Sequence, residues 1–183
     1  MTTLTLIFFL FLGSITANPI ALPHRYHKSH GQECPENGTL DHTNHFSVQN
    51  MVPVSASQPT VALGSSITAL ITPNDYCTIF NLVVPPSGLN KTCNLELLIP
   101  DREQAGFNYM FAGPGHFTFT GYAFGPPSLL TTGNAYVINV GPCGIQPGME
   151  GMEVIGLLCS NDTTFVYQQS ERKCPIGFFV TIT

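Results

Sequence analysis

The chain has 183 residues, of which 9% are charged, and eleven acidic side chains outnumber six Lys and Arg for a formal net charge of −5. Such a Lys-poor surface lacks the basic patches that nucleic acid demands and the polybasic clusters that hold a protein to an anionic membrane. Six cysteines, no Trp and 15 prolines point instead to a small, turn-rich fold in which covalent bridges supplement the core.

In chain order, Leu4 to Leu12 is an almost unbroken apolar run followed by the small residues Gly13, Ser14 and Ala17. That layout predicts a signal peptide over 1–17. The run falls short of the roughly 20 apolar residues that cross a bilayer. Residues 18–45 then read as a flexible His- and Pro-containing linker. They carry Pro19, Pro23 and Pro35, with His24, His27, His30, His42 and His45, and little that could offset the entropy of ordering. Imidazoles suit zinc, copper or nickel, but a specific site needs ligands fixed by neighbours, so no metal and no cofactor is expected.

From Phe46 to Thr183 short β-favouring runs alternate with Gly, Pro and Asn. Strands are predicted at Val61–Ile71, Tyr76–Val84, Cys93–Ile99, His116–Ala123, Ala135–Val140, Met152–Leu158, Thr163–Tyr167 and Ile176–Ile182. In Cys93–Ile99 the odd positions are all apolar and face inward. In His116–Thr120 the two Phe face the core, and Gly121 is expected to mark a bulge. Tyr76–Val84 is apolar on both faces, as a central strand would be. The C-terminal Gly177–Thr183 lacks the spacer of a lipid-anchor signal and reads as a last strand. Without helical periodicity, the fold class is all-β: an antiparallel β-sandwich, jelly-roll or Greek-key-like, stapled by disulfides.

All six cysteines, Cys34, Cys77, Cys93, Cys143, Cys159 and Cys174, are expected in bridges. If the last four strands form an up-and-down meander, Cys143 and Cys174 lie at one end of the sheet and Cys159 at the other, which predicts Cys143–Cys174. Cys77–Cys93 requires the segment from Pro85 to Thr92 to run back along its strand, because a tight hairpin would leave roughly 16 Å between them. Cys34 and Cys159 remain. Sequons place N-glycosylation at Asn37, Asn90 and Asn161, each in a turn-like context.

No catalytic constellation stands out. No G-x-S-x-G elbow and no H-E-x-x-H is present, and scattered carboxylates alone do not make a glycosidase. His116 begins a strand and reads as structural. Tyr109, Tyr122, Tyr136 and Tyr167 offer rings for sugars, but without Trp the largest flat face is missing. If a binding face exists, the Thr118, Thr120 and Tyr122 side of one strand is its expected place.

Five ordered blocks carry a family likeness: Ile71-Thr72-Pro73-Asn74-Asp75-Tyr76-Cys77-Thr78-Ile79-Phe80-Asn81; Lys91-Thr92-Cys93; Gly115-His116-Phe117-Thr118-Phe119-Thr120-Gly121-Tyr122; Gly133-Asn134-Ala135-Tyr136-Val137-Ile138-Asn139; and Cys174-Pro175-Ile176-Gly177-Phe178-Phe179-Val180. Over about residues 52–183 the chain resembles the C-terminal domain of the fungal ubiquitin-three binding protein (But-two) family. The resemblance implies a secreted or wall-associated fungal β-sandwich with no catalytic residues to carry over. The intracellular partner in the family name is not expected here, given a leader, six cysteines and three sequons. The expectation is therefore a non-catalytic extracellular or cell-wall protein with a structural or interaction role. Its expected partners are a cell-wall polysaccharide or an extracellular protein, with neither nucleic acid nor a membrane anchor. The alternatives are a host-contacting, effector-like protein and a polysaccharide-binding or polysaccharide-active one.

Overall fold

A computed structural model describes Cys34, Leu40 and residues 43–107, 109–121, 127–148 and 151–183. The expected signal peptide, most of the linker with His24, His27, His30 and His42, and Asn37 and Tyr122 lie outside the described residues.

Alternating side chains dictate eleven strands among these residues. They are β1 (His45–Ser47), β2 (Asn50–Ser55), β3 (Thr68–Ile71), β4 (Tyr76–Val83), β5 (Thr92–Ile99), β6 (Met110–Ala112), β7 (Thr118–Gly121), β8 (Asn134–Pro142), β9 (Glu153–Cys159), β10 (Thr164–Gln168) and β11 (Gly177–Ile182). The only α-helical turn among the described residues, α1 (Arg102–Ala105), follows β5. Its start is an Asp-x-x-Gln box in which the Gln104 side chain accepts the Asp101 N–H at 3.3 Å, and Gly106 ends it at φ 63°.

The strands form three antiparallel sheets in the orders β1-β11-β5-β8, β2-β4-β9-β7 and β3-β10-β6. The two four-stranded sheets face each other. Phe80 of β4 meets Phe178 of β11 with ring centroids 4.3 Å apart, and Phe119 of β7 meets the same Phe178 at 6.1 Å. Beside them Leu82 and Val154 of one sheet and Leu95 and Val180 of the other line one small apolar crevice. The three-stranded sheet joins the same core through Phe165, whose ring lies 4.5 Å from Tyr167, 5.4 Å from Phe111 and 6.0 Å from Phe117. Each such side chain contributes about 1.5–3 kcal/mol when fully buried. The fold is thus an all-β, sandwich-like packing of antiparallel sheets.

Several expectations hold in detail. β4 is a central strand, flanked by β2 and β9. Leu97 and Ile99 are buried on the odd face of β5, and Phe117 is buried while Thr118 and Thr120 are exposed. The even face of β5 is buried as well at Glu96 and Leu98, with the Asn94 side-chain amide donating to Glu96 at 2.6 Å. Gly121 is not a bulge. It pairs in register with Gly156, and its φ of 99° lets its backbone pass where a Cβ would come within 2.6 Å of the Ile155 carbonyl oxygen. The register shift lies between Leu95 and Glu96, where β5 meets β8. Val61–Ile71 is a strand only over its last four residues, and Val61 and Leu63 are half exposed.

The disulfide pairing differs from expectation throughout. The bridges are Cys77–Cys159, Cys93–Cys143 and Cys34–Cys174, with Cα separations of 4.5, 4.8 and 4.7 Å. They replace the expected Cys143–Cys174 and Cys77–Cys93, and the two cysteines left over, Cys34 and Cys159, pair with Cys174 and Cys77. The meander is what fails, because β8, β9, β10 and β11 each enter a different sheet from the strand before. Likewise β4 and β5 belong to opposite sheets, so Cys77 and Cys93 never share a ladder. In the observed register Thr78 faces Leu158, which sets Cys77 directly across from Cys159. Thr92 faces Pro142, which brings Cys143 beside Cys93. Cys34–Cys174 ties a residue of the expected linker to the loop ahead of β11.

Candidate functional site

The expected binding face is only partly assembled. Thr118 and Thr120 point to solvent from β7, an edge strand, and Tyr122 lies outside the described residues. Tyr109 and Tyr167 are core residues rather than sugar platforms. The Tyr109 hydroxyl donates to the Pro100 carbonyl at 2.5 Å, and burial pushes its pKa up to about 12. Tyr167 is 1% exposed, and burial raises its pKa too. Tyr136 is partly buried and spends its hydroxyl on Thr131, accepting the backbone N–H at 2.7 Å.

Just ahead of β7, Ser160, His116 and Asp162 converge in a way their sequence separation conceals. The His116 Nδ1 lies 2.6 Å from Asp162 Oδ2. Asp162 Oδ1 accepts from the Thr163 hydroxyl at 2.7 Å and from the His116 N–H at 3.3 Å. These bonds, Thr163 first, hold the Asp162 carboxyl below the usual carboxylate range. The Ser160 hydroxyl donates to the His116 carbonyl oxygen at 2.7 Å and accepts the Thr163 N–H at 2.9 Å. A nucleophilic serine would face the imidazole instead. The cluster ties the turn after β9 to the segment entering β7.

A cleft of about 690 Å³ opens at the loop from β10 to β11, within the range of small-ligand sites. Its floor is apolar, with Val48, Ile67 and Phe107, and Ile67 is 52% exposed. Its rim carries Gln168, Glu171 and Arg172, all exposed. The Ser47 hydroxyl donates to Glu171 at 2.6 Å, and His45 Nε2 stands 3.8 Å from the same carboxylate. The loop is firmly held. The Gln169 amide donates to the Phe178 carbonyl at 2.9 Å and accepts the Phe178 N–H at 3.1 Å. Ser170 and Ile176 exchange both backbone bonds, and Cys174 is bridged to Cys34. An aromatic and aliphatic floor under amide, carboxylate and guanidinium groups suits a neutral ligand rich in hydroxyls. Nothing in the sequence signalled it, because its walls come from four separate stretches of chain.

Among the described residues no group of three His, Cys, Asp or Glu is placed to hold a metal ion, and no helix is long and apolar enough to cross a membrane. Both described sequon asparagines are exposed. Asn90 sits in a turn at φ 57° beside a groove formed with Lys91, Pro142 and Ile145, and Asn161 sits in the turn between β9 and β10.

The sheets and their bridges define a small, disulfide-bonded antiparallel β-domain. Residues 49–132, from the start of β2 to the loop ahead of β8, match the family model described as the Ubiquitin 3 binding protein But2 C-terminal domain. This match agrees with the family likeness seen in the sequence. No curated protein and no solved structure matches the chain.

Proposed function

We propose that this is a secreted, N-glycosylated fungal protein of the extracellular space or cell wall, non-catalytic, which acts by holding a partner rather than transforming it. The observation that carries this reading is the set of three disulfides, all joining segments at least 50 residues apart. Bridges of this kind persist in oxidising compartments and are removed in reducing ones. The apolar leader-like run and the two exposed sequon asparagines support the same compartment. Fractionating a producing culture into medium, wall and cells tests it, with intact mass taken before and after deglycosylation. Recovery from medium or wall with a glycan mass and no free thiol is expected. A cytosolic protein carrying reduced thiols would refute it.

The cleft favours a second reading within the first, in which the held partner is a wall polysaccharide. Gln168, Glu171 and Arg172 would bind sugar hydroxyls while Phe107 and Ile67 take the apolar face of a ring. In a panel of insoluble wall glycans, at least one should retain the protein, and Arg172→Ala should release it. Retention by none would dismiss this reading, and sugar release into solution would contradict the non-catalytic role.

A further inference from the structure

The two described sequons are equivalent as strings of letters and unequal once folded. Asn90-Lys91-Thr92 has both its Asn and its Thr exposed. In Asn161-Asp162-Thr163 the Asn is exposed but Thr163 is 0% exposed. The Thr163 hydroxyl is spent twice, donating to Asp162 Oδ1 at 2.7 Å and accepting the Gly115 N–H at 2.7 Å. Its own N–H donates to Ser160 Oγ at 2.9 Å, and the Asn161 carbonyl accepts from the Asn74 side-chain amide at 3.1 Å. Backbone closes over it so tightly that a Cβ on Gly113 would stand 2.7 Å from the Thr163 Cα.

That burial matters because of the chemistry of glycan transfer. An oligosaccharide passes from a lipid-linked diphosphate donor to the asparagine amide. A bond forms between Nδ2 and sugar C1, the C1–O bond to the diphosphate breaks, the lipid diphosphate leaves with the electron pair, and the proton lost from nitrogen is taken by a base of the transferase. An amide nitrogen is a poor nucleophile, and the transferring enzyme recognises the acceptor through the hydroxyl two residues on, which is why the motif is N-x-[ST]. A hydroxyl sealed under Gly113 and Gly115 cannot be gripped.

We infer that Asn161 is glycosylated only before the turn between β9 and β10 closes, so that modification there competes with formation of Cys77–Cys159, whereas Asn90 stays acceptable in the folded chain. Cys159 lies two residues before Asn161 and directly across the ladder from Cys77. Closing that bridge removes two protons and two electrons, taken by a protein disulfide oxidant through thiol–disulfide exchange. It also pins the end of β9, from which Ser160 and Asp162 gather in Thr163. The inference rests on the secreted, glycosylated reading above.

Glycopeptide mass spectrometry on total lysate of a secreting host tests it without requiring the variants to fold. In wild type, occupancy at Asn161 should fall below that at Asn90. In the Cys77→Ser/Cys159→Ser chain it should rise to match Asn90, with Asn90 unchanged. A second arm uses purified, unglycosylated wild-type protein with transferase and lipid-linked donor. Of these two sites, the native protein should accept glycan at Asn90 and not at Asn161, and the reduced, unfolded protein at both. Asn161 as fully occupied as Asn90 in wild type, or modified in the native protein, would overturn the inference and leave the glycoprotein reading intact. Glycan at neither site in the secreting host would overturn that reading and the inference with it.

Discussion

Among the described residues Tyr167 has the largest fully buried side chain, and its hydroxyl finds no hydrogen-bond partner there. A buried donor left unpaired keeps its desolvation cost. Tyr167→Phe should therefore stabilise the protein by about 1 kcal/mol, read as a higher urea midpoint at unchanged slope. Asp162 makes the opposite kind of contribution. Its carboxyl is held below its ordinary value of 3.8, chiefly by Thr163 and then by His116. The charged form is thus the one the fold favours. Its stabilisation is present above that ordinary value and is lost as pH falls through the lower folded one. Asp162→Asn should flatten the acid limb of a stability-versus-pH curve and leave the slope above neutral pH unchanged. None of this was legible in the sequence. His116 and Asp162 are 46 residues apart, and the sequon at Asn161 drew attention to the acceptor while the buried Thr163 decides its fate.

At the scale of elements, legibility followed the strength of the alternation. β4, β5, β8 and β11 lie within a residue or two of their expected bounds, because long runs of Val, Ile, Leu and Phe leave little choice of face. β1 and β6 have three residues each and no pattern to read. β2 was hidden by Pro53, which a sheet tolerates here because β2 is an edge strand. The helical turn α1 announces itself only through its Asp101–Gln104 box. The interrupted alternation at Gly121 marks no bulge but the close approach of β7 to β9. Gly121→Ala would combine a left-handed φ of 99° with a Cβ 2.6 Å from the Ile155 oxygen. It should cost more than about 1 kcal/mol and raise amide exchange along Thr118–Gly121 first. An equal loss of protection everywhere would contradict a local role.

At the scale of the molecule, no ladder among the described residues joins strands that are consecutive in the chain; each of β1, β3, β6, β7 and β8 reaches its partner across intervening elements. The sandwich class was legible because composition and turn spacing set it. Pairing was not, because alternation says which face of a strand is buried and nothing about which strand lies beside it. The same topology makes folding depend on distant contacts, which are slow to form. The bridges offset that cost by constraining the unfolded chain, by about 4–5 kcal/mol each on loop-closure arithmetic. Cys93→Ala/Cys143→Ala should accordingly lower unfolding free energy by about 2–5 kcal/mol, measured by denaturant titration under non-reducing conditions. A change of a few tenths would show that the sheets hold without that bridge.

Non-reducing peptide mapping of the protein recovered from culture medium tests both fold and compartment at once. The expected result is Cys77 linked to Cys159, Cys93 to Cys143 and Cys34 to Cys174, with no free thiol. Six alkylatable thiols, or Cys143 linked to Cys174 with Cys77 to Cys93, would contradict it.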